Sequence, residues 1–176
     1  FPLELFNSQP TPRPEREAEG RLAAELAPRA GWQAWSAPDH AWPVTLLLPM
    51  EAVLAAKEQS LAASEELDRG LRRAFWAESR CISLRNVILE VAGECDAVDV
   101  DALTEALDDG RARRSLFDDW AVARTDAVRG SAHLFAADGT NAQNPGLSLR
   151  WTEATGVTVE ADDPAAIEAF VRRAGR

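Results

Sequence analysis

Thiols and imidazoles are the side chains of this 176-residue chain best suited to nucleophilic or acid–base chemistry, and they are few: Cys81, Cys95, His40 and His133. The cysteine spacing is neither that of a Cys-x-x-Cys redox pair nor that of a zinc site, which would need more ligands. If residues 84–95 are helical, a rise of about 1.5 Å per residue puts Cys95 roughly 16 Å along the helix, whereas a disulfide needs Cα atoms within about 7 Å. We therefore predict two free thiols that act as small packing residues.

The other patterns in the sequence offer little catalytic chemistry. His40 could do acid–base work near neutral pH, but nothing nearby in the sequence completes a dyad. The chain has no phosphate-binding glycine loop, no Gly-x-Ser-x-Gly motif and no cluster with metal-ligand spacing. We expect no metal and no cofactor. Paired acids are typical of solvated helix faces and caps, and they occur as Glu65-Glu66, Asp108-Asp109, Asp118-Asp119 and Asp162-Asp163.

Three tryptophans, Trp32, Trp35 and Trp42, crowd an irregular segment. Tryptophan buries a large area and keeps one hydrogen-bond donor, so two interpretations stay open. The rings could fill the gap between a helical region and a sheet, or they could form an aromatic wall over a substrate cleft.

Composition limits the partners of the chain. The hydrophobic fraction is 46%, the net charge is −10, and Lys57 is the sole lysine. An acidic surface repels phosphate backbones, so we expect no nucleic-acid binding. No apolar run approaches the ~20 residues of a membrane span, and no signal or lipidation pattern is visible, so we expect no membrane association and a cytoplasmic location. The length predicts one domain, with or without an inserted subdomain.

Apolar residues at spacings of three and four predict successive helices between residues 15 and 126. Residues 8–14 alternate proline and are expected to be extended. Pro49 either starts a helix in its first turn or kinks one. We predict that Ser83 caps a helix over residues 84–95, that Asp99 caps the next, and that Gly110 ends it.

The C-terminal region changes to strand patterns. Asp138-Gly139 marks a tight hairpin turn within an apolar run. Alternating residues at 147–151 and 155–160 indicate two further strands after the turn at Asn144-Pro145-Gly146. Asp162 or Asp163 is expected to cap a terminal helix that has Pro164 in its first turn.

The segment Val128-Arg129-Gly130-Ser131-Ala132-His133-Leu134-Phe135 resembles the Gly-Val-x-Gly-x-Pro-x-Phe segment of DsbA-like thioredoxin-fold oxidoreductases, including their FrnE-like and 2-hydroxychromene-2-carboxylate isomerase-related members. Residues 75–83 also resemble the family's Phe-x-x-Gly/Asn-x-Asp-Ile-Ser stretch. Two hallmarks differ: Ala132 stands at the position of the family's cis-proline, and Cys-x-x-Cys is absent from this chain. Cys81 takes a position that is usually not cysteine.

The resemblance implies an α/β, thioredoxin-like fold with a helical insertion. Residues 1–14 would be the end of a thioredoxin-fold strand and a loop, residues 15–126 the insertion, and residues 127–176 the closing β-hairpin and helix. The family's first strand and cysteine-bearing helix would then precede Phe1. Substrate-binding residues are expected at Gly130, Ser131, Ala132 and His133, with the His133 side chain facing either the site or solvent, and no catalytic residue is expected in the chain.

The activity implied by the resemblance is thiol–disulfide oxidoreduction on a protein or small-molecule substrate, with a homodimer as a further expectation. Two alternatives remain. One is the glutathione-dependent isomerase and kappa-class transferase branch, which a serine in place of the first active-site cysteine would favour. The other is a non-catalytic thioredoxin-fold binding protein.

Overall fold

The protein combines helices with short antiparallel strands. The computed structural model describes residues 13–130, 132–152 and 156–174, without the side chains of residues 151 and 156. Within these ranges it has seven α-helices and two separate two-stranded sheets, a mixed α and β structure. The chain divides into two compact units, Phe1–Ala121 and Val122–Arg176. The strand end expected near Phe1, together with the loop through residue 12, lies outside the described residues.

The first unit is helical. In chain order its helices are α1 (Arg13–Leu26), α2 (Leu47–Gln59), α3 (Leu61–Trp76), α4 (Arg85–Gly93), α5 (Val100–Asp109) and α6 (Arg111–Ala123), and α6 continues past the boundary of the unit. Short 3-10 turns occur at Pro28–Ala30 and Asp39–Ala41. No strand occurs between residues 61 and 109, all of which are described, as the helical periodicity predicted.

The hydrophobic core of this unit is built around α2, which contacts α3, α4 and α5. Ala52, Ala55 and Ala56 of α2 are at most 2% exposed, so their small side chains let neighbouring helices approach closely. Leu67 of α3 and Leu103 of α5 are fully buried against this surface. Full burial of a leucine contributes roughly 1.5–3 kcal/mol.

Helix ends agree with the sequence prediction where the capping hydrogen bond joins residues that are close in sequence. The Asp99 side chain accepts the N–H of Ala102, and Gly110 ends α5 in a left-handed conformation, as predicted. The Ser83 cap is wrong. The Ser83 hydroxyl donates to the carbonyl of Thr45 instead, and α4 begins at Arg85 after Leu84, without a side-chain cap. A contact far along the chain thus replaces the local one.

Two prolines lie in the first turns of helices. Pro14 lies in the first turn of α1, which begins at Arg13, so the extended loop expected over residues 8–14 ends earlier than predicted. Proline is compatible with a first turn because its missing N–H would have no partner there. Pro49 lies in the first turn of α2 and does not kink a longer helix.

The second unit contains β1 (His133–Phe135), β2 (Asn141–Gln143), β3 (Leu147–Thr152), β4 (Gly156–Asp162) and α7 (Pro164–Ala174). The strands β1 and β2 pair antiparallel around Asp138-Gly139, so the predicted hairpin is confirmed. Its loop is longer than a two-residue turn, because the N–H of Ala136 bonds the carbonyl of Thr140. A second hairpin, β3 with β4, forms its own sheet.

A close backbone approach fixes the start of α7. The Asp163 side chain accepts the N–H of Ala165, and its own N–H donates to the carbonyl of Gly146 at 2.8 Å. A Cβ at Gly146, where φ is +83°, would lie 2.1 Å from the Asp163 carbonyl oxygen. Glycine is therefore required where β3 begins beside the helix.

Candidate functional site

The predicted site residues follow α6 and lead into β1. Gly130 has φ of +146°, and a Cβ at this position would lie 2.9 Å from the Gln143 side-chain nitrogen. Ala132 is exposed and His133 half-buried. The structure thus places Gly130 and Ala132 just before β1 and His133 at its first position, whereas Ser131 lies outside the described residues.

Both backbone polar groups of Ala132 are hydrogen-bonded within the chain. Its N–H donates to Asn144 Oδ1 at 2.7 Å, and its carbonyl accepts the N–H of Asn144 at 2.8 Å. In the DsbA-like family that the sequence resembles, backbone groups beside the proline pair with an extended substrate. At Ala132 such pairing would first have to break two bonds to Asn144.

The His133 ring holds the loop to the hairpin. Its Nδ1 accepts the N–H of Arg129 at 3.2 Å, and its Nε2 lies 3.0 Å from Asn141 Oδ1. An Nδ1 that accepts carries no hydrogen, so Nε2 carries it and donates to Asn141. The ring also lies against Phe135, with centroids 4.2 Å apart. Both nitrogens are engaged, so this arrangement orients the loop and leaves no nitrogen free as a general base.

The two cysteines are free, as predicted, and both are half-buried. The Cys95 thiol donates to the carbonyl of Val91 at 3.2 Å, and burial, with smaller contributions from Glu66, Glu94 and Asp96, raises its pKa. A reactive thiolate needs the opposite environment, an electropositive one that lowers the pKa.

The crowded tryptophans pack against one another and against the end of α3. Trp32 stacks on Trp76 with centroids 5.2 Å apart, and Trp35 lies 5.0 Å from Trp42 and 5.5 Å from Phe75. These contacts are those of packing residues, and within the helical unit their partner is the end of helix α3.

Arg13 and Gly20 add α1 to this aromatic cluster. The Arg13 guanidinium lies 4.9 Å from the Trp42 ring centroid and bonds Asp39 at 2.6 Å. A Cβ at Gly20 would lie 2.7 Å from the Trp76 ring. His40, beside Asp39, is exposed in its turn, and the only carboxylate next to it in sequence is bonded to Arg13.

One of the acid pairs, Asp108-Asp109, has structural partners. Asp109 bonds Arg111 through both the backbone N–H and the guanidinium, which lower its pKa, and Asp108 pairs with Arg85. In the described part of the chain, no group of three or more metal-ligating side chains is found. The same part contains no helix with the length and apolar character needed to cross a bilayer.

Two features of the structure were not predicted from the sequence. Asn144 was predicted only as a turn residue, and the pattern that could have indicated its role is the alternation of polar Asn141 and Gln143 just before it. Glu51, which lies within the mainly apolar run of residues 44–53, is 1% exposed and pairs with Arg113 at 2.9 Å. Its other oxygen, Oε1, has no hydrogen-bond partner among the described residues.

Comparisons of the chain with protein-family models, with curated proteins and with solved structures found no match.

Proposed function

We propose that this chain is part of a DsbA-like, thioredoxin-fold thiol–disulfide oxidoreductase, to which it contributes the helical insertion (residues 15–126) and the closing hairpin region (residues 127–176). One observation carries the proposal. A long helix, α6, is followed by a glycine with positive φ, Gly130, and then by a hairpin whose first strand begins at His133. The resembling family has the same order at its substrate loop.

The proposed chemistry requires thiols other than those of this chain. In thiol–disulfide exchange a thiolate attacks a substrate disulfide, forms a mixed disulfide and releases one substrate thiolate, and a second thiol then resolves the intermediate. Cys95 has a raised pKa and a backbone acceptor, which disfavour its thiolate. The proposal therefore assigns the redox pair to a segment outside the 176 residues and assigns Gly130, Ser131, Ala132 and His133 to substrate binding.

A non-catalytic, thioredoxin-fold binding protein is the second candidate, and a specific observation favours it. The Ala132 backbone is already paired with Asn144, and the family's proline is absent. A chain that no longer handles disulfides has no need of the proline or of free pairing groups. The glutathione-dependent isomerase or kappa-class branch remains a third candidate, distinguished by a serine-containing active-site motif.

Partners follow from the same proposal. A thiol or disulfide substrate, protein or small molecule, is expected, with a homodimer as the assembly and the cytoplasm as the location. The net charge of −10 argues against nucleic acid as a partner.

The test is an insulin reduction assay on two proteins, the 176-residue chain and the product of the complete natural reading frame that contains it. We expect the chain alone to match the background rate with dithiothreitol. The complete product should exceed that rate, and serine in place of either cysteine of a Cys-x-x-Cys motif should abolish the excess. A complete product without such a motif, and without turnover, would leave the binding protein as the function.

A further inference from the structure

The ladder between β1 and β2 continues one pair beyond the strands through an asparagine side chain. His133 lies opposite Gln143, so Ala132 and Asn144 form the next opposing pair. The N–H of Asn144 donates to the Ala132 carbonyl at 2.8 Å, as in a regular antiparallel ladder. The reciprocal bond is not regular, because the Ala132 N–H donates to the side-chain Oδ1 of Asn144 at 2.7 Å.

The backbone of Asn144 explains this substitution. Asn144 has φ of +42°, a left-handed conformation that asparagine tolerates better than most residues. Its carbonyl therefore leaves the ladder and accepts the N–H of Leu147 at 2.9 Å, which closes the Asn-Pro-Gly turn. The side-chain carbonyl takes the position in the ladder that the backbone carbonyl has left.

The neighbouring side chains fix the other end of the loop. Gln143 Nε2 donates to the Arg129 carbonyl at 3.1 Å, and the Arg129 N–H donates to His133 Nδ1 at 3.2 Å. Arg129 and Ala132, on either side of Gly130, are thus both bonded to side chains of the hairpin. Arg129 bonds those of His133 and Gln143, and Ala132 bonds that of Asn144.

We propose that Asn144 is a positioning residue of the candidate site: by engaging the Ala132 N–H and carbonyl itself, it holds the start of β1 in the conformation presented to substrate, and substrate does not pair with those two groups. This inference rests on the proposed function. It assigns to one hydrogen bond the ordering that the resembling family obtains from its proline. Alanine, unlike proline, has a backbone N–H, and at Ala132 this N–H donates to Asn144 Oδ1.

The bond can be observed in the unaltered chain. A trans-hydrogen-bond scalar coupling between the Ala132 amide nitrogen and the Asn144 side-chain carbonyl carbon is expected in a labelled sample. A coupling to the Asn144 backbone carbonyl in its place would overturn the proposal without requiring any variant to fold.

Two substitutions at one position separate the acceptor from the turn. Asn144→Asp keeps an oxygen acceptor and Asn144→Gly removes it, and both residues tolerate positive φ. We expect amide exchange at Ala132 to accelerate about five- to tenfold in the glycine variant and to stay within about twofold in the aspartate variant. Ala137→Gly, in the exposed loop of the same hairpin, is the control for added flexibility and should leave Ala132 unchanged. Equal exchange in all four proteins would overturn the proposal.

A substrate probe separates this inference from the proposed function. Reduced, carboxymethylated insulin B chain is titrated while the Ala132 and His133 amide shifts are followed. The proposed function predicts shifts in the wild type and the aspartate variant, and the positioning role of Asn144 predicts an affinity at least about threefold weaker in the glycine variant. Accelerated exchange in Asn144→Gly with no shifts in any protein would support the Asn144 bond and contradict the substrate-binding function. Equal affinity in wild type and Asn144→Gly would contradict the positioning role.

Discussion

Asn144 Oδ1 accepts the amide hydrogen of Ala132 at 2.7 Å, and Ala132 is the residue that the proposed DsbA-like resemblance sets against a proline. The two residues are twelve positions apart in sequence, and the hairpin register places them opposite each other. Ala132, which departs from the motif of the proposed family, thus has a hydrogen-bond partner that proline could not have at this N–H.

Ala132→Pro tests this relationship from the other side. Proline removes the N–H and leaves Asn144 Oδ1 without its donor, so we expect the C-terminal unit to lose about 1 kcal/mol of stability in urea unfolding. Ala137→Pro is the matched control, because Ala137 follows the first residue of the Ala136–Gly139 turn, where proline is favoured. An unchanged midpoint for Ala132→Pro together with a lowered one for Ala137→Pro would contradict the assignment.

Gly146→Ala should disrupt the C-terminal unit. The added Cβ would meet the Asp163 carbonyl oxygen at 2.1 Å, and φ is +83°. We expect a loss of more than about 2 kcal/mol, seen as faster amide exchange in β3, β4 and α7. Gly93→Ala is the control, since a Cβ there has no neighbour within 4 Å and Gly93 lies in a helix. Equal protection of the unit in both variants would show that the close approach does not occur.

Cys95 should be slow to alkylate. Burial and three nearby carboxylates raise its pKa above the usual 9.0. In a Cys81→Ser variant, the pH midpoint of iodoacetamide labelling should be higher for the folded protein than for the protein in urea. Since the folded state holds this proton more tightly, its contribution to stability is full below the unfolded pKa and is lost as the pH rises through the folded one. A folded midpoint below the unfolded one would make Cys95 an activated thiol.

The Glu51–Arg113 pair should be asymmetric. Glu51 is buried, whereas the Arg113 side chain is 57% exposed. Arg113→Ala leaves a buried carboxylate without its partner and is expected to cost roughly 3 kcal/mol, whereas Glu51→Leu should change stability by less than about 1 kcal/mol. The double variant should match Glu51→Leu in urea unfolding. A double variant as unstable as Arg113→Ala would show that Arg113 stabilises α6 through other contacts.

Some features could be predicted from the sequence because their bonds are local. Asp99 accepts from Ala102 three residues later, and Asp138 accepts from Thr140 two residues later within the hairpin loop. The thioredoxin-like class implied by the family resemblance stays a proposal, since the described strands form two separate sheets.

The sequence by itself therefore determined the helices, the first hairpin and the two free thiols, all of which depend on periodicity or on partners a few residues away. The tertiary structure decided which polar groups pair over long separations. Ser83 bonds Thr45 and does not cap α4, Glu51 meets Arg113, and Asn144 meets Ala132. These choices depend on helix packing and strand register, because a polar side chain takes whichever partner the folded backbone brings within about 3 Å, and no local pattern encodes that distance.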